Sequence, residues 1–292
     1  MTSPLIQLHN VNKTFEDKKV LNQLSFSVNA GELVALLGAN GAGKTTTINL
    51  LLGLEQADSG EISVLGRSPG HLKTRSQLGV TPQGTDFPGG LKVKEILAWV
   101  AAHYTHPMAV KQAISEFHLE DIADQHAGNL SYGQKRRIAV ALSFISQPKL
   151  VFLDEPTTGL DVQSRHALWA IVRRYVDNGG SLVLTTHYLE EAEKLASNIL
   201  VLNNGAIHSQ GTVDEIIANF GSMSISFQAD SCPDKLDHAT QIERKQNQFV
   251  IETTDSDALL RELVQRQVNF HHLAIHKSSL ETAFLEMNQA GD

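Results

Sequence analysis

Cysteine is nearly missing from this 292-residue chain, where Cys232 stands alone. A single thiol cannot close an internal disulfide, so the fold must rest on its own core, as suits a reducing compartment. Long apolar runs are also missing. Leu33 to Leu37, Leu50 to Leu54 and Leu150 to Leu153 are core-sized pieces, well short of the ~18 residues that cross a bilayer. Met1-Thr2-Ser3-Pro4 opens no basic-then-apolar signal segment. The chain is therefore expected to be soluble by itself. Positive charge is in deficit, with 24 Lys and Arg against 32 Asp and Glu. That balance argues against a nucleic-acid partner, because such proteins carry a basic footprint.

What remains is ordinary globular composition, 41% hydrophobic and 19% charged, enough for one large domain and a small one. Leu5 to Leu8 and Leu24 to Val28 alternate as strands, with a turn at Asn29-Ala30-Gly31. Leu33 to Leu37 is continuously apolar, as expected of a strand buried on both faces of a parallel sheet. From Val93 to Gln147 the apolar spacing turns helical. Strand signals return at Leu150 to Leu153 and Ser181 to Thr185, around a crossover helix at Gln163 to Val176. Asn203-Asn204-Gly205 is a hairpin signal. After Gly221 a small α+β region follows, and Ser278 with Glu281 predicts a capping box on its last helix.

Gly38-Ala39-Asn40-Gly41-Ala42-Gly43-Lys44-Thr45 satisfies the phosphate-loop pattern between a buried strand and a helix. Its glycines let several N–H groups converge on a phosphate at a helix N-terminus. Lys44 would meet the β- and γ-phosphates, and Thr45, followed by Thr46, would place a hydroxyl for Mg²⁺. Asp154 and Glu155 end the strand Val151-Phe152-Leu153 before Pro156. Asp154 suits a metal partner and Glu155 a base for the attacking water; capping of a helix is the structural alternative.

Two further segments decide which machine this is. Leu130-Ser131-Tyr132-Gly133-Gln134 precedes the acidic motif, and Thr186-His187 follows it. Together the set resembles the ATPase subunit of an ATP-binding cassette (ABC) transporter, over about Leu5 to Gly221. Asn40 to Thr47 and Thr186 to Ala192 resemble the drug-, lipid- and polysaccharide-exporting branch.

The resemblance implies an α/β P-loop NTPase fold with a RecA-like core, an antiparallel β subdomain and a helical subdomain at about 84–148. Residues 1–221 would form this nucleotide-binding domain, and 222–292 a small C-terminal α+β domain. It also implies that Gln83 touches Mg²⁺ and water, and that His187 contacts the γ-phosphate. Ser131, Gly133 and Gln134 would bind the triphosphate held by the opposite subunit, with Tyr132 replacing the first of two family glycines. Phe15 fits the aromatic that stacks on adenine, the alternative being a core phenylalanine. Lys135-Arg136-Arg137 reads equally as a solvated basic face or as a phosphate contact. Leu160-Asp161 matches the segment coupling the two sites of a dimer.

Such subunits bind ATP with Mg²⁺, pair with a second ATP-binding subunit, and dock on a separate transmembrane permease at the cytoplasmic face of the inner membrane. Two alternatives belong to other classes: a cassette ATPase acting on ribosomes or DNA, and a regulatory module that holds nucleotide without turnover. The single cassette without long insertions argues against the first, and the presence of Glu155 and His187 against the second.

Overall fold

A computed structural model describes residues 3–82, 84, 86–220, 223–276 and 279–289. Its contacts divide the chain into two units, Met1–Gln210 and Gly211–Asp292. The division falls earlier than the boundary read from the sequence at 221. The helix Val213–Phe220 packs against the C-terminal helix of the second unit.

In the first unit, β1 (Ile6–Phe15) and β2 (Lys18–Val28) pair antiparallel, and β4 (Ser59–Val64) joins β1 on its other edge. Alternation turns Ile6, Leu8, Leu24, Phe26 and Val28 inward from these strands. Between β2 and β4 lie β3 (Leu33–Leu37), buried at all five positions, and α1 (Lys44–Leu52). The chain continues through α2 (Leu72–Arg75) and β5 (Leu78–Thr81) into the helical block. That block holds α3 (Val93–Ala101), α4 (Val110–Glu116), a 3₁₀ turn at Ala127–Asn129 and α5 (Tyr132–Phe144). Then follow β6 (Leu150–Asp154), α6 (Val162–Asp177), β7 (Ser181–Thr185), α7 (Leu189–Leu195), β8 (Asn198–Asn203) and β9 (Ala206–Gly211).

The central sheet runs β5-β6-β7-β3-β8-β9, with the pairs β5–β6, β6–β7, β7–β3 and β3–β8 parallel. Its continuous apolar strands make sense from the two cores on either side. Leu150 and Phe152 face one core with Ile48 and Leu51 of α1, while Val151 and Leu153 face another with Phe117, Ile138 and Phe144 of the helical block. Asn204 and Gly205, at φ 47° and 76°, form the two-residue turn between β8 and β9, as their types require.

The second unit contains α8 (Val213–Phe220), β10 (Met223–Gln228), β11 (Gln241–Lys245), β12 (Gln248–Thr253), α9 (Ser256–Gln265), β13 (His271–His276) and α10 (Leu280–Gln289). Its antiparallel sheet has the order β11-β12-β10-β13. Leu259 and Leu263 of α9 pack on Phe227, Phe249 and Ile251. Ser278, expected to cap α10, lies outside the described residues; the Ser279 hydroxyl accepts from the Thr282 N–H at 3.2 Å.

Candidate nucleotide site

Parallel β3, β7 and β6 bring their carboxyl ends to one edge of the sheet, and the phosphate loop, Asp154 with Glu155, and His187 follow from those ends. From β3 the chain enters the loop Gly38 to Thr45, where Gly41 and Gly43 adopt φ 83° and 108°. A methyl group at Gly43 would lie 2.6 Å from a Leu21 methyl, so the loop is packed down on β2. Lys44 folds back over the loop and donates to the main-chain oxygens of Gly38 at 2.7 Å and Ala39 at 3.1 Å. Burial lowers the Lys44 pKa, while the charges of Glu155 and Asp154 pull it up again. The ammonium therefore lies within the field of both acids.

Asp154 is the last residue of β6 and is 7% exposed. Burial raises its carboxyl pKa; a hydrogen bond from the Thr185 hydroxyl opposes this. Glu155 follows in the left-handed region at φ 49°, a conformation costing ~1–2 kcal/mol outside glycine. Its N–H donates to the main-chain oxygen of Thr185 at 2.9 Å and to its hydroxyl at 3.1 Å. These bonds hold the turn that swings the Glu155 carboxylate off the strand. There Oε2 accepts from the Thr158 hydroxyl at 3.3 Å and lies 3.4 Å from His187 Nδ1. His187 is half exposed and its ring lies 4.0 Å from that of Tyr188.

Thr45 is exposed on the first turn of α1 and Thr46 half-buried beside it. Thr45 Oγ1 and the Asp154 carboxylate are hard oxygen donors, and the buried acid lacks a bidentate basic partner among the described residues. That donor set fits Mg²⁺. Gln83, the third expected metal contact, lies outside the described residues.

A second group forms at the start of α5. Ser131 is the N-cap; its hydroxyl accepts from Gln134 N–H at 3.2 Å, and Gln134 Oε1 accepts from Ser131 N–H at 2.9 Å. This capping box commits the Gln134 side chain to the helix start and leaves Ser131 and Tyr132 exposed. Tyr132 lies over Gly159, where an added methyl would come 2.5 Å from its Cδ1. Gly133 approaches the Gly159 carbonyl so closely that a methyl there would meet it at 2.8 Å. Asp161 caps α6 through the Ser164 N–H at 2.8 Å.

Phe15 is 40% exposed, with Lys13 Nζ 4.8 Å from the ring centre, so the core alternative is excluded. Both readings of Lys135-Arg136-Arg137 need correction at Arg136, which is 1% exposed. It donates to the main-chain oxygens of Pro82, Asp154 and Pro156. Lys135 pairs with Asp86 at 3.1 Å and Arg137 with Asp121 at 3.1 Å. No sequence signal marked the burial of Arg136, whose partners are main-chain oxygens. Thr158 and Thr185, both touching the acids, carried none either.

Residues 21–158 match the family model for the ABC transporter. Among curated proteins, the Nod factor export ATP-binding protein I of Burkholderia lata is 40% identical over 220 residues, covering 73% of this chain and 72% of that protein. Its counterpart from Rhizobium sp. (strain N33) is 40% identical, covering 74% of each chain. This chain belongs to the ABC transporter family. The ABC fold is equally clear in solved structures. The ATP-binding subunit of an ABC transporter, 30% identical, superposes with a TM-score of 0.68 over 74% of this chain and 93% of that one. A bacterial ABC transporter cassette solved as a dimer, at 24% identity and a TM-score of 0.65, shares the fold. The chain is thus an ATP-binding, ATP-hydrolysing ABC subunit, and none of its described helices is long and apolar enough to cross a membrane.

Proposed function

We propose that this ABC subunit powers export of a drug, lipid or polysaccharide cargo through a separate transmembrane permease. It would sit peripherally on the cytoplasmic face of the membrane that holds that permease. Export as the direction is supported by the relatives, which are named as Nod factor export proteins.

The observation that carries the ATPase chemistry is the approach of His187 Nδ1 to Glu155 Oε2, at 3.4 Å, beside the phosphate loop. Glu155 accepts a proton from the attacking water, and His187 steadies that carboxylate while reaching the γ-phosphate. Lys44 exchanges its two main-chain oxygens for the β- and γ-phosphates, and the loop N–H groups take the remaining oxygens. Thr45, Asp154 and, by resemblance, Gln83 would hold Mg²⁺, which neutralises charge on the phosphate oxygens. Phe15 stacks on the adenine.

Each chain carries one phosphate loop and one Ser131 segment. Two chains therefore close around two ATP molecules, each gripped by one chain's loop and the other chain's Ser131 and Gly133. ATP favours the closed pair, and loss of the γ-phosphate contacts reopens it. Glu155→Gln tests this reading. The variant should bind ATP without turnover and elute as a dimer with Mg-ATP in size-exclusion chromatography. Elution only as a monomer would sink the closure step.

A further inference from the structure

The described part of the first unit contains one fully buried acid that the chemistry above does not use. Glu191, in the first turn of α7, is 0% exposed. Its Oε2 accepts from the Thr157 hydroxyl and its Oε1 from Trp169 Nε1, each at 3.1 Å. Burial raises its pKa, and the polar side chains of Thr186, Trp169 and Thr157 oppose the shift, with Arg165 adding a weaker attraction. Arg165 itself faces the rings of Trp169 and Tyr188 and pairs with Glu190 at 3.7 Å.

These three side chains come from three segments, two of which carry the residues assigned to hydrolysis. Thr157 stands two residues after Glu155, and Thr186 immediately precedes His187. The backbone reinforces the link: Glu191 N–H donates to Tyr188 oxygen at 3.0 Å, and Tyr188 N–H donates to the Thr186 hydroxyl at 3.0 Å. Trp169 anchors the arrangement to the middle of α6. A buried carboxylate held by neutral donors is costly to desolvate, and an apolar filler would satisfy packing more cheaply. Its advantage is geometric, because two oxygens with several lone pairs can fix several strands of chain at once.

We propose that Glu191 is a positioning residue for ATP hydrolysis. One carboxylate, shared between the segment after Glu155 and the segment carrying His187, holds those two side chains within reach. The proposal rests on the catalytic reading of Glu155 and His187.

The test uses the full-length chain with Mg-ATP, in a Trp99→Phe background so that Trp169 is the only indole. Glu191→Leu should lower kcat at least tenfold while the KM for ATP changes less than threefold. It should also shift the Trp169 emission. Glu191→Gln, whose amide can accept from Trp169 and donate to a threonine hydroxyl, should restore kcat to within threefold. Thr157→Val breaks the same bridge from the other side and should lower kcat severalfold with KM held, which keeps the test alive should Glu191→Leu not fold. Val172→Ala, in the core face of α6, controls for stability alone. Unchanged kcat in both Glu191→Leu and Thr157→Val overturns the proposal. So does an equal loss in Val172→Ala at a matched Tm. Full turnover in Glu155→Gln or His187→Ala overturns instead the reading beneath it, and with it the proposal.

Discussion

The Arg136 guanidinium donates to the main-chain oxygen of Asp154, tying the helix that starts at Ser131 to the strand end that carries both acids. The same group holds the carbonyls of Pro82 and Pro156. Arg136→Ala would strand three acceptors beside a cavity. At ~1–3 kcal/mol for each buried group left unpaired, we expect a loss of at least about 3 kcal/mol. Arg136→Lys should recover less than half, since an ammonium cannot span the same fork. Urea unfolding reads both values; an unchanged midpoint in Arg136→Ala would refute the anchoring role.

Tyr132 and Gly159 make a second pair that should be coupled. Gly159 has φ 77° and no room for a methyl beneath the Tyr132 ring. Gly159→Ala should cost about 1–3 kcal/mol through crowding and backbone strain. Tyr132→Gly removes the crowding, so the double variant should be more stable than the sum of the single effects predicts. Strict additivity in a thermal-unfolding cycle would show that the ring does not rest on Gly159.

Phe15 separates binding from stability. Its ring is 40% exposed, with Lys13 Nζ 4.8 Å from its centre. Phe15→Ala should weaken ATP binding about fivefold to thirtyfold, equivalent to ~1–2 kcal/mol of lost stacking, with a Tm within a few degrees of the parent. Equilibrium titration with a fluorescent ATP analogue checks this; undiminished affinity would remove Phe15 from the adenine site.

Glu191 predicts a pH dependence of definite sign. Its folded pKa is raised above the ordinary 4.5 by burial, so in the window between the two values the folded state binds more protons than the unfolded one. The stabilising contribution of the protonated acid is full below about 4.5 and is lost as pH climbs through the folded value. Glu191→Gln has no such loss. The stability of the glutamine variant relative to wild type should rise from pH 4.5 upward and then level. A difference that stays flat across pH 4.5–8 in chemical unfolding would contradict the burial effect.

Much of the nucleotide core was readable because its chemistry demands rare local patterns. The loop before Lys44 needs glycines at positive φ, and Asp154 needs an apolar strand beneath it; both leave a mark in one dimension. Arg136 left none of its own, because its partners are main-chain oxygens at Pro82, Asp154 and Pro156, distant in sequence and identical in any residue. Glu191 was hidden for the same reason, its donors Thr157 and Trp169 lying 34 and 22 residues away along the chain. The strands β5 and β11 went unread: β5 is four residues long, and β11, an edge strand, is polar on nearly every residue. In the C-terminal unit the strand patterns at Ser224–Gln228, Phe249–Thr253 and Phe270–His276 and the amphipathic spacing at Ala258–Val268 are legible, and they match β10, β12, β13 and α9. The helix α8 was not assigned, and it moved the unit boundary to Gly211.

Lys44 resting on the oxygens of Gly38 and Ala39 has a thermodynamic corollary. With its cation held by those two carbonyls, the loop offers an arriving anion only the difference between the anion's oxygens and theirs. Small or weakly charged anions stand to gain little from that swap. A triphosphate, with several anionic oxygens to set against those two carbonyls, is the kind of ligand for which the trade is downhill.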